Sequence, residues 1–75
     1  MNELIKSTIQ TLIGSYNLNS LAVASNRNET DFSRGYIAAI EDMLALLASQ
    51  VNAEIIEHYN KGTFRHYKTL EIKYN

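Results

Sequence analysis

The sequence predicts a mainly α fold, a helical hairpin with one long helix and a strand-like C-terminal tail, completed by oligomerisation. Three observations carry that reading. Apolar residues recur every three to four positions through the first sixteen residues and the middle of the chain, no proline interrupts them, and the period changes to two after Gly62. The 75 residues allow one domain, 1–75, divided into helix one at 1–16, a loop at 17–30, a long helix at 31–60 and a basic tail at 63–75.

In helix one, Met1, Ile5, Ile9, Leu12, Ile13 and Tyr16 fall on one side at 100° per residue, with Glu3, Lys6, Ser7 and Gln10 opposite. Gly14, Asn17 and Asn19 read as stop signals. Asparagine and serine then crowd the stretch to Thr30, and these residues compete with helical hydrogen bonds and favour turns. Leu18, Leu21 and Val23 supply a short apolar piece within it. Thr30 or Asp31 suits the N-cap of the second helix, and Asn60-Lys61-Gly62 suits its end. Along that helix Phe32, Tyr36, Ile37, Ile40, Met43, Leu44, Leu47 and Val51 form an apolar arc opposite Arg34, Ala38, Glu41, Asp42, Ala45, Ser49 and Asn52. In the tail, Phe64, Leu70, Ile72 and Tyr74 alternate with polar residues, a strand pattern. With no second strand evident, the tail adds to a sheet of another copy, pairs with a partner, or stays helical or disordered.

The expected helices differ in length, about 22 Å against about 45 Å. A hairpin of such unequal arms leaves four or five large side chains bare, forgoing roughly 6–12 kcal/mol of burial, comparable to the whole stability of a small domain. Self-association is the expected remedy, most simply a two-fold dimer through Tyr36, Ile40, Met43, Leu44, Leu47 and Val51. Gly35 and Ala39, with Ala38, Ala45, Ala48 and Ser49, make a small-residue flank that admits a close helix neighbour.

Composition narrows the function classes. The chain has no cysteine, so disulfides and thiolate metal sites are excluded and a reducing cytoplasm is the expected setting. Met1–Tyr16 is interrupted by polar residues, unlike a signal peptide, and Met43–Ala53, the longest uncharged run in the second half, falls short of the roughly 20 residues that span a bilayer. No membrane association is expected, and the sequon Asn28-Glu29-Thr30 then has no export context. Residues 1–57 carry three cations against seven carboxylates, and residues 58–75 carry four against one, so an acidic body precedes a basic tail.

Few constellations suit catalysis. Two histidines and three glycines, with no phosphate-binding loop and no nucleophile elbow, argue against an enzyme, and no cofactor is expected. Glu54 and His58, four residues apart on the expected helix, are too few for a metal site and read as a solvated contact. The tail offers more: Lys61, Arg65, His66, Lys68 and Lys73 are interleaved with Phe64, Tyr67 and Tyr74. That mixture can stack bases and hold phosphates, or meet an acidic protein surface.

The segment Phe32–Leu44, FSRGYIAAIEDML, resembles a stretch found in small, mostly uncharacterised accessory proteins of tailed bacteriophages, and covers 13 of the 75 residues. The resemblance implies a phage product, active in the host cytoplasm, that engages a bacterial host or defence protein and blocks it. No functional residue carries over, because the group has no defined motif. The expected function is therefore that of a small helical homo-oligomer binding and inhibiting or modulating a bacterial protein. Its expected contact residues are Arg34, Glu41, Asp42, Lys61, Phe64, Arg65, Tyr67 and Lys68. A nucleic-acid or nucleotide binder using the tail is the rival, and a purely structural assembly subunit a third reading.

Overall fold

Two helices lie across one face of a β-hairpin in the computed structural model, which describes residues 3–25 and 31–75. The elements are α1 (Glu3–Ala24), α2 (Asp31–Gln50), β1 (Ala53–Lys61) and β2 (His66–Tyr74). The five residues between Ser25 and Asp31 are too few to return along a helix of about 33 Å, so the helices run antiparallel. The fold is α+β, and the expected hairpin with one long helix is wrong. The expected N-cap at Thr30 or the Asp31 side chain, the sequon and Met1 lie outside what is described.

The long helix ends ten residues sooner than expected because of Asn52. Its φ of 53° places it in the left-handed region that asparagine tolerates better than most residues, the conformation that closes many helices. Val51 N–H bonds to Ala48 C=O at 3.2 Å, tightening the last turn, and the chain leaves as β1. The β-branched residues Val51, Ile55 and Ile56 favour the extended state beyond it.

Helix α1 runs eight residues further than the sequence indicates. Ser20 and Ala24 continue its buried stripe below Ile9, Ile13 and Tyr16, and the asparagines expected to stop it have other work. The Asn19 amide donates to Ser15 C=O at 2.7 Å within the helix. Asn17 donates from Nδ2 to Leu70 C=O at 3.0 Å and accepts from Leu70 N–H at 2.7 Å. With 22 and 20 residues the helices are nearly matched, and the length mismatch that called for a second copy disappears.

The tail finds its strand partner within the chain. β1 and β2 pair antiparallel over nine unbroken positions, from Ala53 opposite Tyr74 to Lys61 opposite His66. The adjacent Ile55-Ile56 breaks the alternation of β1, which is why that strand reads as helix in the sequence. A two-residue turn, Thr63-Phe64, joins the strands, closed by Gly62 N–H to Arg65 C=O at 3.0 Å. Phe64 N–H donates at 3.0 Å to Ala24 C=O, satisfying one of the orphan carbonyls that end α1. Gly62 is required by this docking: a Cβ there would meet the Arg65 carbonyl and lie 2.6 Å from Ala24 Cβ.

The core comprises Ile9, Ile13 and Tyr16 of α1, Ile40 and Leu44 of α2, and Leu70 of β2, flanked by Ile37, Leu47, Val51, Ile55 and Ile72. The expected arc of α2 therefore divides. Ile40 and Leu44 are buried in this chain's own core, which removes them from any interface between copies, and Leu47 and Val51 pack partly buried against it. Tyr36 and Met43 remain exposed.

Candidate protein-interaction surface

Backbone hydrogen bonding defines the two faces and two edges of the hairpin. In an antiparallel pair, residues that exchange bonds alternate with residues whose N–H and C=O point outward. Gly62 bonds to Arg65, Asn75 N–H bonds to Asn52 C=O at 3.3 Å, and Leu70 turns both its groups to Asn17. These contacts fix the alternation: Glu54, Ile56, His58 and Asn60 bond to β2, while Ala53, Ile55, Glu57, Tyr59 and Lys61 direct their backbone groups away from it.

The edges differ in consequence. On β2, Asn17 plugs the outward groups of Leu70. On β1, no backbone hydrogen bond among the described residues satisfies the outward groups of Ile55, Glu57 or Tyr59. Such edges are usually blunted by proline, a bulge or inward charge. Here the register is unbroken and proline is absent; the one inward charge on β1, Glu57, is held by Lys68, and Lys61 stands at the far end. Beside that end an open groove of about 350 Å³ is lined by Tyr59, Asn60, Lys61 and His66.

The face of the sheet away from the helices carries Glu54, Ile56, His58 and Asn60 on β1 and Tyr67, Thr69, Glu71 and Lys73 on β2. Glu54 and His58 are not a helical pair; four strand residues separate them by about 13 Å. His58 Nε2 instead meets Glu71 Oε1 at 2.8 Å, an ion pair when the imidazole is protonated, and Asn60 Nδ2 donates to Thr69 Oγ1 at 3.1 Å. Among the described residues no group of three His, Asp or Glu side chains could hold a metal ion.

On the inner face a polar cluster ties the layers together. Lys68 Nζ donates to Glu57 Oε2 at 2.9 Å and to Glu41 Oε1 at 3.2 Å, linking β2 to β1 and to α2. Tyr16 OH donates to Glu41 Oε2 at 3.0 Å, and Tyr59 OH to Glu57 Oε1 at 2.7 Å. The bond to Glu57, with help from Glu41, raises the Lys68 ammonium above its ordinary range against the opposing pull of desolvation. Tyr59 and then Lys68 hold the Glu57 carboxyl below its ordinary value. Burial first, then Glu41, pushes the Tyr16 hydroxyl up, and Glu57 does the same to Tyr59.

This cluster reassigns two expected contact residues. Glu41 and Lys68 are half-buried and spend their charges on each other and on Glu57, so they hold the hairpin to α2. Asp42 and Arg34 are exposed on α2, Lys61 and Phe64 are exposed at the hairpin end, and Arg65 and Tyr67 are half-buried beside them. Structure thus brings Lys61, Phe64, Arg65 and Tyr67 to one end of the molecule. The edge at Ile55, Glu57 and Tyr59, none of them among the expected contact residues, becomes legible only once Asn52 is recognised as the helix stop.

No family model, curated protein or solved structure matches the chain. Among the described residues no helix is long and apolar enough to cross a membrane.

Proposed function

We propose that this chain is a non-catalytic interaction protein that binds a bacterial host or defence protein and inhibits or modulates it. The observation that carries the reading is the unpaired edge of β1, nine residues long with no proline and no break in register. An extended segment of the partner adds to that edge as a third strand: backbone hydrogen bonds supply affinity, and alternate side chains supply specificity. The groove at Tyr59, Lys61 and His66 favours an acidic or aromatic side chain on the incoming segment. The bacterial identity of the partner rests on the resemblance of Phe32–Leu44 to phage accessory proteins.

The cations bear on the nucleic-acid rival. Lys68 is occupied by two carboxylates, and Lys73 stands opposite Glu54. Too little positive charge is left at the hairpin to neutralise a run of phosphates. Tyr59→Pro removes an outward N–H without touching the backbone bonds to β2, a position where strands accept proline, and Tyr59→Ala, which loses the same ring and its bond to Glu57 but keeps the N–H, is its control. Affinity purification from bacterial lysate should recover a partner with the parent chain and with Tyr59→Ala and lose it with Tyr59→Pro, all three chains giving the same circular dichroism. Retention by Tyr59→Pro, or capture of nucleic acid with a steep salt dependence, would overturn the reading.

A further inference from the structure

Helix α2 has a second apolar stripe, facing away from the core. Phe32, Tyr36, Ala39, Met43 and Leu46 are all exposed, Phe32 by 80% and Leu46 by 62%. Their spacing is four, three, four, three, the period of a helix–helix seam and not of a solvated face. The stripe is preformed, since the Phe32 and Tyr36 rings stack with centroids 6.3 Å apart and the Tyr36 hydroxyl lies 3.1 Å from Ser15 Oγ. The outer side of α1 has no equivalent: between its exposed Leu4 and Leu18 stand Thr8, Thr11 and Ser15, and both threonine hydroxyls bond to their own helix.

We infer that this stripe is the interface with a second copy of the chain, the two α2 helices packing antiparallel about a two-fold axis at Ala39. The order of sizes is self-complementary, large, large, small, large, large, so reversal about the centre places Phe32 against Leu46 and Tyr36 against Met43 of the other copy. The small residue falls at the axis, where the backbones come closest. Burying these side chains from both copies removes on the order of 1,000 Å² from water, the lower end of what a specific interface needs. The dimer is accordingly weak and concentration-dependent. It keeps Tyr36 and Met43 of the expected interface and exchanges Ile40, Leu44, Leu47 and Val51 for Phe32, Ala39 and Leu46.

Two independent measurements test it, and neither depends on the β1 edge. In sedimentation equilibrium the parent chain should pass from monomer to dimer over a series reaching millimolar concentration. Leu46→Glu should weaken that dimer by about tenfold or more while leaving the circular dichroism unchanged, because Leu46 lies outside the core. The chain has no cysteine, so single cysteines report geometry without background. Ala39→Cys should cross-link to a dimer under mild oxidation, and Ala45→Cys on another side of α2 should not. A mixture of Phe32→Cys and Leu46→Cys should cross-link where neither does alone. A monomer throughout, or cross-linking of Phe32→Cys with itself, would overturn the proposal.

Discussion

Replacing Asn17 with alanine removes two hydrogen bonds at once, those to the carbonyl and the amide of Leu70 at 3.0 and 2.7 Å. Each contributes about 0.5–1.5 kcal/mol net. The residue left behind is 3% exposed, so water does not readily replace the lost partner, and stranded backbone groups add about 1–3 kcal/mol. Alanine returns about 0.5 kcal/mol through better helix propensity. The expected loss is about 2–4 kcal/mol, a fall in Tm of about 10–20 °C for a domain of this size. Urea denaturation followed by circular dichroism measures it directly. Asn19→Ala is the internal control: its amide bonds only within its own helix, so its substitution should cost little. A loss at Asn17 below about 0.5 kcal/mol, or equal to that at Asn19, would refute the claim that this side chain seals the β2 edge to α1.

Glycines should respond with opposite signs. Gly62→Ala should cost about 1–3 kcal/mol because its Cβ collides with Ala24 and the Arg65 carbonyl, whereas Gly14→Ala, whose Cβ meets open space, should gain about 0.5–1 kcal/mol; urea midpoints decide both. At Asn52, φ of 53° makes Asn52→Gly neutral or stabilising and Asn52→Val costly by about 1–2 kcal/mol in the same assay. Tyr16, Tyr59 and Lys68 have raised folded-state values, so their stability contributions are complete below about pH 10 and are lost as pH rises beyond it. Glu57, held low, contributes above the ordinary carboxylate value of 4.5 and loses that contribution as pH falls. Chemical denaturation across pH should show a plateau between these limits, and Tyr16→Phe should flatten the alkaline limb; an unchanged limb counts against the cluster.

Both helices and the last strand are visible in the sequence through their periods, whereas Gly62, expected to end the long helix, lies in the turn between two strands. What fails are the elements decided by long-range contacts. Asn17 and Asn19 have the composition of a turn, but Asn17 stays helical while its amide bonds to a backbone 53 positions away. Asn52 carries the stop signal, yet the apolar arc runs up to Val51, and Glu54 and His58 continue its helical spacing and hide the break. β1 is obscured for a related reason: Ile55 packs on the core and the adjacent Ile56 sits on the opposite face, so no strict alternation survives. Of the expected contact residues, Lys61, Phe64, Arg65 and Tyr67 do gather at one end. Lys68 and Glu41 read identically to them in the sequence, because charge alone does not distinguish a binding residue from an internal tie.

A β1 strand bonded on one side only has a signature in amide hydrogen exchange, followed residue by residue by NMR. At low concentration the amides of Glu54, Ile56, His58 and Asn60 should be protected while those of Ile55, Glu57 and Tyr59 exchange quickly, and Leu70 should be slow through Asn17. Uniform protection from 53 to 61 would contradict the account, since it would mean that the edge is already covered or that the helix runs on.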